Sequence, residues 1–408
     1  MTYRKFKADY LFLGDRLAAP DSVLITTAEG VVREVVAGSG AGEGVELFPG
    51  MLTPGFVNGH CHLELSHLKG AIPEGTGLVD FLIGVIRRRA DAAADTAAAA
   101  AAAGAAAGAG LAERIREAIA AGEREMLENG IVAVGDICNT ADTLEFKRTG
   151  RLEYRNFMET IGFIEGAAAG RFEAGRLLFD RFETVAPGRN SIVAHAPYSV
   201  SAALFRLIAD FHPPGLQTIH NQESGAENEW MLAGKGDFKR LYQELGVDVA
   251  SFGGTGKRSM ESVMGFFQPE RPMILVHNVA TTKEDLLAVG VRPDLFFCLC
   301  PNANRYIGGT LPDVEMLAAA GCRLLIGTDS LASNHSLSIL EELKTLAAAF
   351  PKLETPVLLR WATAEGAAAL QMTDRLGSFE AGKTPGVLLL GGLDGTRLTD
   401  ATTVRRLI

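Results

Sequence analysis

Two kinds of stretch alternate along the chain. Apolar runs of strand length, each closed by a polar or glycine-rich break, recur at Leu52–His62, Val132–Cys138, Tyr154–Thr160, Ile192–Pro197, Leu216–Asn221, Met273–Asn278, Phe296–Pro301 and Leu324–Asp329. Most are followed by a helical stretch. Runs that are apolar at nearly every position belong to strands covered on both faces, and their alternation with helices predicts a parallel sheet. Eight such units over about 280 residues have the size of an α/β fold closed into a (β/α)8 TIM barrel. A doubly wound open sheet is the competing arrangement, but no G-x-G-x-x-G turn follows the first run to support it.

The ends of the chain follow a different rhythm. Phe6–Phe12, Ser22–Thr26 and Val31–Val36 are short β-prone runs between glycine-rich breaks, and Val387–Leu390 follows Pro385-Gly386. Termini commonly lie close together, so both ends are expected to share a small β-sandwich domain. It would comprise residues 1–53 plus 378–408, with the barrel spanning 54–377.

Composition narrows the classes. The 408 residues are 47% hydrophobic and 22% charged, which excludes wholesale disorder. The net charge of −10 argues against nucleic acid or an anionic membrane as partner. The hydrophobic figure is inflated between Ala92 and Gly110, where 14 of 19 residues are alanine. Alanine drives helix formation but little membrane insertion, so this segment predicts a surface helix with a flexible tip at Gly104, Gly108 and Gly110. Five cysteines, an odd number, read as buried reduced thiols rather than a disulfide framework. With no apolar signal-peptide core near the start, a cytoplasmic location is expected.

In a barrel, functional residues come from the C-terminal ends of the strands. Those ends carry His60-x-His62, Asp136, Glu159, His195, His220, His277, Asn302 and Asp329. His60 and His62 are two apart on a strand and share a face, whereas Cys61 points away. Alone, such a pair is also an ordinary surface feature. With His220 and Asp329 it makes three imidazoles and a carboxylate, a donor set for zinc or ferrous iron. Glu223, three residues beyond His220, is placed to shuttle protons, though an acid there also favours a helix N-terminus. His277 reads either as a catalytic base or as a hydrogen-bonded core histidine.

The motifs Pro54-Gly55-Phe56-Val57-Asn58-Gly59-His60-Cys61-His62, His220-x-x-Glu223, His277-Asn278, Cys300-Pro301-Asn302-Ala303-Asn304 and Gly327-Thr328-Asp329-Ser330 together resemble the amidohydrolase superfamily. The resemblance is to the branch of chlorohydrolases and of deaminases of cytosine, guanine, adenosine derivatives and S-adenosylhomocysteine. It implies one divalent metal, zinc favoured and iron possible, held by His60, His62, His220 and Asp329. Strand four ends in His195, where binuclear relatives carry a carbamylated lysine. The implied catalytic residues are Glu223, which protonates a ring nitrogen, His277, which assists the attacking water, and Asp329, which passes a proton to leaving ammonia. His195 resembles a substrate contact in adenosine-type deaminases, and is equally a structural histidine at a turn.

Glu64, His67 and Lys69, on the loop after the metal pair, are candidate substrate contacts or simply solvated charges. Lys69-Gly70 stands where the branch usually has Arg-Gly. The loop Gly253–Ser259 fails as a phosphate loop, because Ser251 and Arg258 occupy positions that need Gly and Ser or Thr. Its Lys257 or Arg258 could still hold a substrate anion. Cys298-Leu299-Cys300-Pro301 lacks the P-C-x-x-C spacing of the other deaminase fold and reads as core.

The expected function is hydrolytic deamination of an aminated heterocycle, an adenosine-like nucleoside of the aminodeoxyfutalosine or S-adenosylhomocysteine type being favoured. A chlorohydrolase or amide hydrolase on the same scaffold is the alternative, and a non-catalytic barrel is a third. The expected partner is a small-molecule substrate; a homodimer is possible.

Overall fold

The computed structural model describes residues 3–103, 105–212 and 215–408. Strands β1 (Tyr3–Leu11), β2 (Ser22–Thr27), β3 (Val32–Ala37) and β4 (Val45–Thr53) lead into β5 (Phe56–Cys61). Next come β6 (Ile131–Cys138), β7 (Glu153–Thr160), β8 (Asn190–Ala194), β9 (Gln217–Asn221), β10 (Met273–His277), β11 (Leu295–Leu299) and β12 (Arg323–Ile326). The last two strands are β13 (Leu388–Gly391) and β14 (Thr403–Arg406).

The strands β5 to β8 and β9 to β12 pair in parallel, each with its neighbour in sequence. Backbone hydrogen bonds close the two sets into a ring. His220 N–H donates to His195 O at one seam, and Thr328 and Asp329 N–H donate to His60 O at the other. The fold is a (β/α)8 barrel. Alternation along each strand divides its residues between two cores. Val57, Ala133, Phe157, Val193, Ile274 and Leu325 belong to one cluster, the barrel interior. Phe56, Val134, Met158, Ile192, Leu275 and Leu324 belong to the cluster shared with the surrounding helices.

Both chain ends meet in a six-stranded sheet of order β14-β13-β4-β1-β2-β3. Here the apolar pattern misplaced one boundary. Leu52 pairs with Leu11 and Leu389 in this sheet, so the first barrel strand begins at Phe56. Pro54-Gly55 separates the two strands, because proline withholds an N–H from the ladder.

The alanine-rich stretch contributes to helices Leu78–Ala103 and Ala105–Glu128. Gly108 and Gly110 lie inside the second helix rather than in a flexible tip, the surrounding alanines carrying the helix through them. The expected tip residue Gly104 lies outside the described residues. Among the described residues, no helix is long and apolar enough to cross a membrane.

Candidate active site

The strand ends bring four side chains close together around His62. His62 Nε2 lies 3.2 Å from both His60 Nε2 and His220 Nε2. Asp329 Oδ1 is 3.6 Å from His60 Nε2 and 3.5 Å from His62 Nε2. Ligand atoms ~2.0–2.2 Å from a tetrahedral zinc stand ~3.3–3.6 Å apart, which is the spacing seen here.

The protonation pattern also fits a cation. His220 donates Nδ1–H to His195 O at 2.8 Å, so its Nε2 presents a lone pair to His62. Three buried ring nitrogens cannot satisfy one another with hydrogens, and burial holds His60 and His62 well below the usual imidazole pKa. Neutral imidazoles are metal ligands. Asp329 stays below the usual carboxylate range despite its burial, with a hydrogen bond from Ser333 favouring the charged form. Ser333 Oγ donates to Oδ2 at 2.6 Å, leaving Oδ1 for the cluster.

Local backbone strain aims these groups. Gln222, His277, Asn278 and Asp329 all have positive φ, between +47° and +76°. Each such residue costs about 1–3 kcal/mol and persists only where its surroundings enforce it. All four follow or end barrel strands, where the chain must turn sharply to present a side chain inward. Gly327 permits a close approach, since a Cβ there would stand 2.9 Å from Cys298 Sγ and 3.0 Å from His60 Cβ.

Beside the cluster, His277 Nε2 is 3.6 Å from Glu223 Oε1, and the Asn304 side-chain amide holds the ring at Nδ1, 2.9 Å away. Burial, with Asp329 and Glu227 nearby, pushes the Glu223 carboxyl well above its usual range. Glu227 accepts the N–H groups of Gln222 and Glu223 at 2.9 and 3.0 Å and so fixes the turn that carries Glu223.

A cavity of about 310 Å³ opens over these groups, within the size range of small-molecule sites. His62, His195, His220, Glu223, His277 and Asp329 all line it. Burial lowers His195 to about 4, so it is neutral. Ser199 Oγ donates to Ala196 O and accepts from His195 Nδ1 at 2.7 Å, which leaves Nε2 as an acceptor.

Three of the candidate substrate contacts turn elsewhere. Glu64 is buried, and its Oε2 accepts from Asn139 N, Thr140 N and Thr140 Oγ1 at 2.9 to 3.0 Å. His67 is held by Glu64 O, and exposed Lys69 lies 3.7 Å from Glu125. None of the three lines the cavity. The Gly253–Ser259 loop is corrected likewise. Arg258 forks onto Asp285 at 2.8 and 3.0 Å and Lys257 pairs with Glu261, so neither cation faces the cavity.

Glu159 stood among the strand ends with no role given to it, and the wall residues on the helix Leu78–Ala103 were not singled out by the sequence. Glu159 lines the cavity, with Oε1 3.5 Å from His220 Nδ1 and Oε2 accepting from Asn139 at 2.9 Å. Arg89 lines it too and donates to Asn139 Oδ1 at 3.0 Å. Phe81, Leu82 and Val85, on the same helix, supply an apolar wall. Their helical spacing was a usable signal, but one shared with any core-facing helix.

Asp136, at the end of β6, serves the site from below. Its Oδ1 accepts Leu63 N–H at 2.9 Å, next to His62, and its Oδ2 pairs with Lys147. Both side chains are buried, and Asp136 and Cys138 raise the Lys147 ammonium against the opposing effect of burial. Lys147→Met leaves that carboxylate uncompensated. It is expected to cost about 3–5 kcal/mol, measured by urea unfolding.

Fold and site together define a barrel hydrolase with a three-histidine, one-aspartate cluster at its strand ends. The chain belongs to the amidohydrolase family, whose model matches residues 51–394. An aminodeoxyfutalosine deaminase of Nitratiruptor sp. is 27% identical over 311 residues, covering 74% of this chain and 69% of that protein. An adenosine deaminase of Helicobacter pylori is 26% identical over 351 residues, 84% of this chain and 79% of that one. The fold matches the crystal structure of Helicobacter pylori aminofutalosine deaminase in complex with methylthio-coformycin. The TM-score is 0.81 at 22% identity, over 99% of this chain and 100% of the other. Deaminases of this family are hydrolases of carbon–nitrogen bonds that act on small molecules and use a single divalent metal.

Proposed function

We propose that this protein is a hydrolytic deaminase of an adenosine-like nucleoside, with one divalent metal, zinc favoured over iron, held by His60, His62, His220 and Asp329. The observation that carries the reading is Glu223, a buried carboxyl with a raised pKa that faces the cavity and stands outside the ligand set. Amide hydrolysis needs no proton on a ring nitrogen; deamination of a heterocycle does.

When bound, the metal supplies Lewis acidity that brings the pKa of water towards ~7. Glu223 takes a proton from the attacking water and delivers it to the ring nitrogen beside the amino-bearing carbon. Its raised pKa suits it to hold that proton near neutrality. His277, fixed by Asn304, orients the water from the side of Glu223. Asp329, held low, gives up readily any proton it accepts, and the leaving amine is the recipient. Two carboxylates in different environments thereby divide the acid and base roles. His195 Nε2 offers an acceptor to the heterocycle or its sugar.

Ile86, Ile161, Ile164 and Leu245 are exposed at the cavity, a rim that suits a nucleoside with an apolar substituent better than a free base. A cytoplasmic location is supported by five buried, unpaired cysteines.

The test is ammonia release from purines, pyrimidines and their nucleosides by zinc- and iron-loaded protein. Stoichiometric ammonia from 6-aminopurine nucleosides is expected. Absence of ammonia from all of them would overturn the reading.

A further inference from the structure

Glu159 is a cavity-lining carboxyl that neither the metal cluster nor the proton transfers use. It stands near the end of β7, and its two oxygens are engaged differently. Oε2 accepts from Asn139 Nδ2 at 2.9 Å, and Asn139 Oδ1 is held in turn by the Arg89 guanidinium at 3.0 Å. Oε1 lies 3.5 Å from His220 Nδ1, but the hydrogen there is already given to His195 O at 2.8 Å. Among the described residues no donor bonds Oε1, and the atom is not sealed from the cavity. Nor is it a ligand of the same metal. Glu159 faces Nδ1 of His220, whereas Nε2 faces the cluster.

Its position matters as much as its free oxygen. In the barrel ring, β7 and β8 stand on one side of β9 and β10 stands on the other. Glu223 reaches His277 on the β10 side, so Glu159 occupies the opposite flank of His220. His195 N–H donates to Thr160 O at 3.1 Å, which sets the residue after Glu159 against His195. Glu159 Oε1 and His195 Nε2 are thus two acceptors on adjacent strands, away from the proton-transfer groups.

A carboxylate only accepts hydrogen bonds, so its partner must be a donor. An aminated nucleoside carries donors at its amino group and at its sugar hydroxyls. The amino group belongs at the reacting carbon, beside Glu223 and Asp329, which leaves the hydroxyls for the other flank. We propose that Glu159 is a specificity-determining residue that accepts a hydrogen bond from a ribose hydroxyl, so that the site selects ribonucleosides over deoxynucleosides. The inference rests on the deaminase reading. A substrate lacking that hydroxyl would strip water from Glu159 without replacing its hydrogen bond, which is how a polar site rejects a deoxy analogue.

The test compares adenosine, 2′-deoxyadenosine and 3′-deoxyadenosine as substrates of the zinc-loaded enzyme, by ammonia release. At least one deoxynucleoside is expected to lose roughly 10–150-fold in kcat/KM, the range for one hydrogen bond to a charged group. The loss should fall on KM, because the hydroxyl is remote from the reacting atoms. Glu159→Ala removes the acceptor and should bring adenosine down to the level of that deoxynucleoside. Glu159→Gln is the second variant should alanine not fold. It can still accept from Asn139, and it should shrink the difference, since a bond to a neutral partner is roughly half as strong. Equal kcat/KM for all three nucleosides in the unmodified enzyme would overturn the proposal and leave the deaminase intact. So would a difference that persists in both variants while metal content and kcat fall for every nucleoside, the signature of a group that only positions His220. Release of ammonia from no nucleoside would instead remove the reading beneath it.

Discussion

Glu223→Gln is expected to retain the metal and to lose turnover by about 10²–10⁴-fold, the range for removing a positioned general acid–base group. The substitution preserves volume and leaves the Nε2 and Oδ1 cluster of His60, His62, His220 and Asp329 untouched. In the proposed mechanism Glu223 carries a proton between water and ring nitrogen, and glutamine cannot hold one. Metal stoichiometry and kcat measured on the same preparation check both halves. Near-full activity in the variant would remove Glu223 from the mechanism. KM should move little, because Glu223 acts on the reacting atoms rather than on the bulk of the substrate.

His62→Ala should be larger in its effect on the metal. His62 is the hub of the cluster: its Nε2 stands within 3.2 Å of two other imidazoles and 3.5 Å from Asp329. Loss of a partner that merely orients a ligand costs ~10–100-fold in metal affinity. Loss of the ligand itself should exceed that and leave purified protein largely metal-free, with activity lost in proportion. Elemental analysis after dialysis against a chelator is the measurement. Unchanged stoichiometry would contradict the assignment. His67→Ala is the control, since that ring is engaged by Glu64 O and faces away from the cavity.

Barrel strands were legible because a strand buried on both faces must be apolar almost throughout, as β10 is from Met273 to Val276. What interrupts such a run then stands out. His60, His220, His277 and Asp329 each close an apolar run, and a buried polar group at that place needs a partner or a metal. The boundary at Leu52 was less legible, since a strand of the terminal sheet and the first barrel strand are both apolar and only Pro54-Gly55 separates them.

Loop residues were harder for a different reason. Glu64, His67 and Lys69 follow the metal pair closely in sequence, but the short 3₁₀ helix Leu63–Leu68 turns Glu64 under Thr140 and Lys69 towards Glu125. Arg89, far from the motifs, reaches the cavity with its guanidinium donating to Asn139 Oδ1. Direction of a side chain on a loop depends on hydrogen bonds with distant segments, and no local pattern encodes it.

By itself the sequence determined the order of the strands and the residue type at each strand end, since both follow from local periodicity and from the burial a parallel barrel imposes. Convergence belongs to the tertiary structure. Only ring closure, with Asp329 N–H donating to His60 O, brings the first and last strands together so that Asp329 stands beside His60 and His62. Glu223 likewise reaches the cavity only through the turn after β9, where Glu227 accepts its N–H.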